Sequence, residues 1–207
     1  MAKRALSIQN VKDYQPKTMG FTGRWLDTIG DPEPFGSWII YGDSGQGKTR
    51  FTVQLSKYLL SFNNVRLAYN SLEEGLSATF KHALLDTGVQ TETKGHFELW
   101  PKCDFDDMKA AMKKKRSPNV IVIDSLQYLG ITYEDYKQLV REYPKKLFIW
   151  ISHEAGSKPD GQTAKKVLYN SDVKVRVKNF YATITSRYKG RNIYDIWPEG
   201  HDKTEIK

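Results

Sequence analysis

Residues 42–49 read Gly42-Asp43-Ser44-Gly45-Gln46-Gly47-Lys48-Thr49. The stretch follows a short apolar run at 37–41 (Ser-Trp-Ile-Ile-Tyr) and precedes a segment at 49–61 with helical apolar spacing. Gly-x-x-x-x-Gly-Lys-Thr between a strand and a helix is a phosphate-binding loop. Its glycines let backbone N–H groups curl around a phosphate without Cβ clashes, and the following helix aims its positive end at the same place. Lys48 is expected to neutralise the outer phosphates and Thr49 to hold Mg²⁺ through its hydroxyl. Residues 42–50, with Arg50 directly after the motif, form the candidate nucleotide-binding set, and the expected cofactors are ATP and Mg²⁺.

Outward from this loop the chain alternates. Strands are expected at 37–41, 65–70, 97–100, 120–124 and 147–152, and helices at 49–61, 75–87, 104–116 and 132–143. The run Val120-Ile121-Val122-Ile123-Asp124 is apolar until its last residue, as in a parallel strand covered on both faces. After a polar segment at 156–166, read as a loop, the pattern changes to a strand at 173–177 and a hairpin at 181–187 and 193–197. This order predicts an α/β layer fold: a mostly parallel central sheet flanked by helices and finished by antiparallel C-terminal strands. Residues 1–35 carry Pro16, Pro32 and Pro34 and little periodicity. They read as an N-terminal arm or cap, with residues 36–207 as the core.

The composition fits this reading. The chain has 207 residues, 39% hydrophobic and 27% charged, enough for one core. No apolar run reaches about 18 residues, so no membrane partner is expected. The lone Cys103 cannot form an internal disulfide, which suits a reducing, cytoplasmic setting. His82, His96, His153 and His201 are scattered, without metal-ligand spacing. The net charge is +8, and residues 158–191 hold nine Lys or Arg against Asp160 and Asp172. That asymmetry points either to a polyanionic partner, nucleic acid first, or to a solvated basic face.

Three polar positions close the apolar strands. Asp124 stands at the tip of its strand, where an open α/β sheet binds ligand, and is the candidate Mg²⁺ residue acting through a water. Glu73 and Glu74 follow the second strand. One of them is expected to orient the attacking water, with Glu73 preferred, because Ser71-x-x-Glu74 also reads as a capping box for the 75–87 helix. His153 closes the 147–152 strand and either bonds the γ-phosphate or its water, or is an ordinary loop histidine.

Taken together, the phosphate loop, Ser71-Leu72-Glu73-Glu74, Val120-Ile121-Val122-Ile123-Asp124-Ser125-Leu126-Gln127-Tyr128-Leu129 and Trp150-Ile151-Ser152-His153 resemble the RecA-type core ATPases. That group includes the replicative hexameric helicases of the DnaB type, the KaiC and RadA group and the recombinases. The resemblance spans about residues 36–197. Ser71-Leu72-Glu73 and Ile123–Gln127 look most like the helicase branch, although Ser125 stands where Tyr is usual; the Glu pair and His153 look more like the KaiC and RadA side. The resemblance implies a homo-oligomer, ring or filament, with ATP between subunits and a cationic finger supplied in trans. By position the finger is Arg187 with Lys189, their cation types exchanged relative to the helicase pair, or Arg191. The resemblance also implies a DNA-contacting loop at 154–166, with Lys158, Lys165 and Lys166 on phosphates and no aromatic residue for stacking. Without a separate N-terminal helicase domain, the chain looks like the minimal ATPases of phages or mobile elements. The expected function is a hydrolase that turns over ATP and acts on single-stranded DNA in recombination, annealing or a helicase-like replication role. A regulatory or loader ATPase directed at a protein is the alternative. A small-molecule kinase is a weaker one, because the 154–166 loop holds no Arg for a lid.

Overall fold

The computed structural model describes residues 5–92 and 94–201. The outer ends of the expected arm and core, residues 1–4 and 202–207, lie outside the described residues. In chain order the first half comprises α1 (Ile8–Asp13), α2 (Gly23–Ile29), β1 (Gly36–Gly42), α3 (Lys48–Leu60), β2 (Arg66–Ser71), α4 (Ala78–Thr87) and β3 (His96–Pro101). The middle holds α5 (Phe105–Lys113), β4 (Val120–Asp124), the short α6 (Leu126–Leu129), α7 (Tyr133–Glu142) and β5 (Leu147–Ala155). It ends in β6 (Lys158–Pro159), α8 (Gln162–Asn170), β7 (Val173–Lys178), β8 (Tyr181–Ser186), β9 (Gly190–Asp195) and α9 (Pro198–His201).

Among the described residues the strands form one sheet in the order β3-β2-β4-β5-β1-β7-β8-β9, with β6 pairing to β5 at its side. From β3 to β7 every pairing is parallel; β7, β8 and β9 run antiparallel. The strand alternation explains the two layers. Trp38 and Ile40 of β1 join one buried cluster with α2, α3 and α4, while Ile39 joins a second with α5, α7 and α8. Both faces of the parallel strands are therefore apolar and buried. The antiparallel strands alternate instead, with Val173, Val175 and Val177 buried and Lys174 and Arg176 outward.

The structure departs from the sequence reading in three places. The arm is not irregular: Phe21, and Trp25 and Ile29 of its second helix, are buried. Trp25 stacks on Tyr58 and Tyr194, at centroid distances of 5.5 and 4.7 Å. One apolar residue at each turn is too short a pattern to show periodicity. Secondly, the polar segment 156–166 is mostly ordered as β6 and the first half of α8. Ala164 and Val167 sit three residues apart and are fully buried, so a single turn of apolar spacing anchors an otherwise polar helix. Finally, Ser71 does not cap the next helix. Ser77 is the N-cap, accepting from the Phe80 N–H at 3.0 Å, and α4 starts at Ala78.

Candidate nucleotide-binding site

Parallel strands all present their C-terminal ends to one edge of the sheet, and the candidate side chains gather there. Gly42 ends β1, Asp124 ends β4, and His153, in β5, is the register partner of Gly42. Ser71 pairs with Asp124, which places the following Leu72-Glu73 turn beside the same edge. The Leu72 and Glu73 N–H groups both donate to the Asp124 carbonyl, at 2.7 and 3.2 Å. The result is a cleft of about 330 Å³ lined by Ser44, Gly45, Gly47, Lys48, Thr49, Arg50, Glu73, Glu74, Asp124, His153 and Phe180, with Thr79, Phe80 and Ala83 of α4 on the far wall.

The loop geometry explains its glycines. A Cβ on Gly42 would collide with the Val177 carbonyl oxygen, and one on Gly47 would meet the Phe180 ring at 2.8 Å. Gly45 and Gly47 also have φ of 72° and 101°, open to glycine at no cost. Asp43 caps its own turn by accepting from the Ser44 N–H at 2.8 Å. Lys48 reaches back across the loop and donates to the Asp43 carbonyl at 2.8 Å. Burial pushes the Lys48 ammonium down from its ordinary range, and the nearby Asp124, Glu73, Asp43 and Glu154 carboxylates pull it back up.

Asp124 is the most perturbed acid. Desolvation raises its carboxyl to about 6, eased by the Tyr69 hydroxyl, which donates to Oδ2 at 2.8 Å. Glu73 and His153 meet, with Oε2 and Nε2 3.4 Å apart. Glu74 is turned away into the start of α4, accepting from the Ser77 and Thr79 hydroxyls at 2.6 and 2.7 Å. Three supporting residues carry no motif of their own in the sequence. Tyr69 orients Asp124. Gln127 accepts from the His153 N–H at 3.3 Å and donates to Ser152 Oγ at 2.8 Å. Phe180, in the β7–β8 turn, packs over Gly47. Of the three, Tyr69 does leave a signal: a phenol inside an apolar strand needs a hydrogen-bond partner.

The remaining candidates lie elsewhere. Arg187 and Lys189 sit in the β8–β9 turn, beyond Ser186, which pairs with the first residue of β7. That is the opposite end of the sheet from Gly42. Arg187 pairs there with Asp172 at 3.0 Å, and Lys189 is exposed. Lys158 and Lys165 border a groove beside β7 and β8, whereas Lys166 leans over the Tyr133 ring, 5.1 Å from its centroid. Among the described residues no three His, Cys, Asp or Glu side chains gather as a metal cluster, and no helix is long and apolar enough to cross a membrane.

No protein-family model and no curated protein matches the chain in sequence. Solved structures do match in fold. The flagellar accessory protein FlaH from Methanocaldococcus jannaschii superposes with a TM-score of 0.58 at 14% identity, over 87% of this chain and 94% of that one. The ATPase domain of a DnaB-type helicase superposes with a TM-score of 0.53, also at 14% identity, over 77% and 80%. The fold is that of the RecA-like P-loop ATPase core. In this RecA-like core the parallel strands with their flanking helices, and the antiparallel strands after β7, are as the sequence predicts.

Proposed function

We propose that the chain binds and hydrolyses ATP and uses the cycle to act on single-stranded DNA. The observation that carries the ATPase reading is the meeting of Lys48, Thr49, Glu73, Asp124 and His153, from four separate segments, around one phosphate-sized cleft. The fit to Mg²⁺ rests on Asp124: a carboxyl that desolvation holds near 6 gains most from a cation beside it. Thr49 and Asp124, the latter through water, would hold the ion, whose chemistry is to neutralise charge on the phosphates. The loop amides of residues 43–49 bind the phosphate chain, Lys48 leaves the Asp43 carbonyl for it, and Arg50 borders the bound nucleotide. Glu73 accepts a proton from water as that water's oxygen bonds to the γ-phosphorus. The bond from that phosphorus to the β–γ bridging oxygen breaks, giving ADP and phosphate. His153, touching Glu73, reports the γ-phosphate to the segment that follows β5.

Arg187 and Lys189 are too far around the sheet to serve their own chain's site. We place them, with Arg191 as the alternative, at the site of a neighbouring copy in a ring or filament. Residues 1–35 cap the core at 36–207. Lys158, Lys165 and Lys166 contribute to DNA contact. Steady-state ATP hydrolysis with and without single-stranded DNA, at two salt concentrations, tests this reading. Salt-sensitive stimulation is expected; hydrolysis indifferent to DNA would refute the DNA part. The second reading, a protein-directed ATPase, draws on the likeness to FlaH, a flagellar accessory protein. It also draws on a cleft of about 800 Å³ between α3 and α4, lined by both Arg24 and Lys57 and by Asp86 and Glu92.

A further inference from the structure

The antiparallel end of the sheet has one covered face and one open face. The covered face packs under α2 and α3 through Val175, Ile184 and Tyr194. On the other, the strand registers align two rows: Lys174 beside Thr185 beside Arg191, and Arg176 beside Thr183 beside Ile193. Ile193 is 67% exposed there. Helix α8 walls this face and leaves a groove of about 510 Å³, bordered by Lys158, Lys165, Lys174, Arg176 and Arg191 without any acidic lining residue. Glu154 engages one of these cations, accepting from Arg176 Nε at 2.9 Å. The other four face the groove as net positive charge. Tyr169, at the end of α8, also lines it; the residue is 84% exposed, with the Lys174 ammonium 6.0 Å from its ring centroid.

We infer that this open face is the track for a single strand of nucleic acid, with Tyr169 as a base-stacking platform and the four cations on consecutive phosphates. A tyrosine 84% exposed beside a basic groove leaves most of its ring uncovered among the described residues. An unpaired base can cover it; the stacked bases of a duplex cannot. Cations over two cross-strand rows and two flanking elements match a linear polyanion rather than a single phosphate. The inference rests on the DNA reading proposed above and moves its centre from the 154–166 segment to the sheet. Of the three lysines in that segment, Lys158 and Lys165 belong to the track and Lys166, leaning on Tyr133, does not.

The test is anisotropy of a labelled oligothymidylate with the full chain across a salt series. Tyr169→Ala should weaken binding at least about fivefold, the low end for one stacked base, and Tyr169→Phe should restore it. The double variant Lys174→Ala/Arg191→Ala should flatten the log–log salt slope by about 1.4, two cations at about 0.7 each. Unchanged melting temperatures verify folding, since Tyr169 and Arg191 are exposed and Lys174 is half-buried. If these variants bind like wild type while Lys158→Ala/Lys166→Ala does not, the sheet face is refuted and the DNA reading survives. If wild type itself ignores the oligonucleotide at low salt, the DNA reading falls first. If the variants alter the mass of the assembly by light scattering while affinity per assembly stays fixed, the face is a subunit interface and the inference is overturned.

Discussion

Asp124→Asn is expected to make the nucleotide-free protein more stable while disabling it. Desolvation moves the Asp124 carboxyl from 3.8 to about 6. At about 1.36 kcal/mol for each tenfold change, the ionised form costs about 3 kcal/mol in the folded state. The sign follows from proton linkage. Below pH 3.8 the carboxyl is protonated in folded and unfolded chains alike, and the cost is absent. Between 3.8 and about 6 the unfolded chain loses its proton first, so stability falls as pH rises; above about 6 the full cost applies. Asparagine has no proton to lose and its carbonyl oxygen can still accept from Tyr69. The gap between variant and wild type should therefore open from about zero near pH 4 to about 3 kcal/mol at about pH 7.5. For a chain of this size that is roughly 6–12 °C in melting temperature. Thermal unfolding from about pH 4 to about pH 8 without nucleotide measures it. A second series with Mg²⁺ and ATP should raise the wild-type melting temperature far more than the variant's. A variant no more stable than wild type at neutral pH, or a gap that does not change with pH, would refute the reasoning.

Other outcomes follow from the same geometry. Glu73→Gln should retain ATP binding and reduce turnover by about 10²–10⁴-fold, the range for loss of a positioned base, as measured by nucleotide binding and steady-state hydrolysis side by side. Arg187→Ala should change monomer stability by no more than about 1 kcal/mol, because its bond to Asp172 is a surface ion pair. It should still lower turnover at least about tenfold in the assembled protein with ATP binding intact, and unaltered turnover would remove it as the trans finger. Trp25→Ala should cost about 3–5 kcal/mol in urea unfolding, since the indole is 6% exposed between Tyr58 and Tyr194.

The parallel core is legible in the sequence because its strands are bounded by strong signals: continuous apolar runs, a glycine-rich turn and a charged tip. Asp124 and Glu73 can be picked out because each follows such a run. What supports them cannot. Tyr69 lies 55 residues before Asp124, and Gln127 meets His153 across 26 residues, so only the strand order brings them together. The segment 154–166 reads as a loop because its composition is polar, whereas its helix needs only Ala164 and Val167 as anchors. The aromatic residue missing from that segment stands just beyond it: Tyr169 follows on the same helix.

The β7–β8 turn holds the phosphate loop by its middle. The Asn179 N–H donates to the Gln46 side-chain oxygen at 2.7 Å, and the Phe180 N–H to the Gln46 carbonyl at 3.2 Å. Gly42 lies so close to Val177 that nothing fits between them. A hairpin clasped at its tip and stiffened by its ladder of backbone bonds moves as one beam. A displacement of the loop at Gln46 by even part of an ångström is thus felt along β7 and β8, and at the Lys174 and Thr185 positions at their far end. The chain has no slack segment between the two places in which such a movement could dissipate.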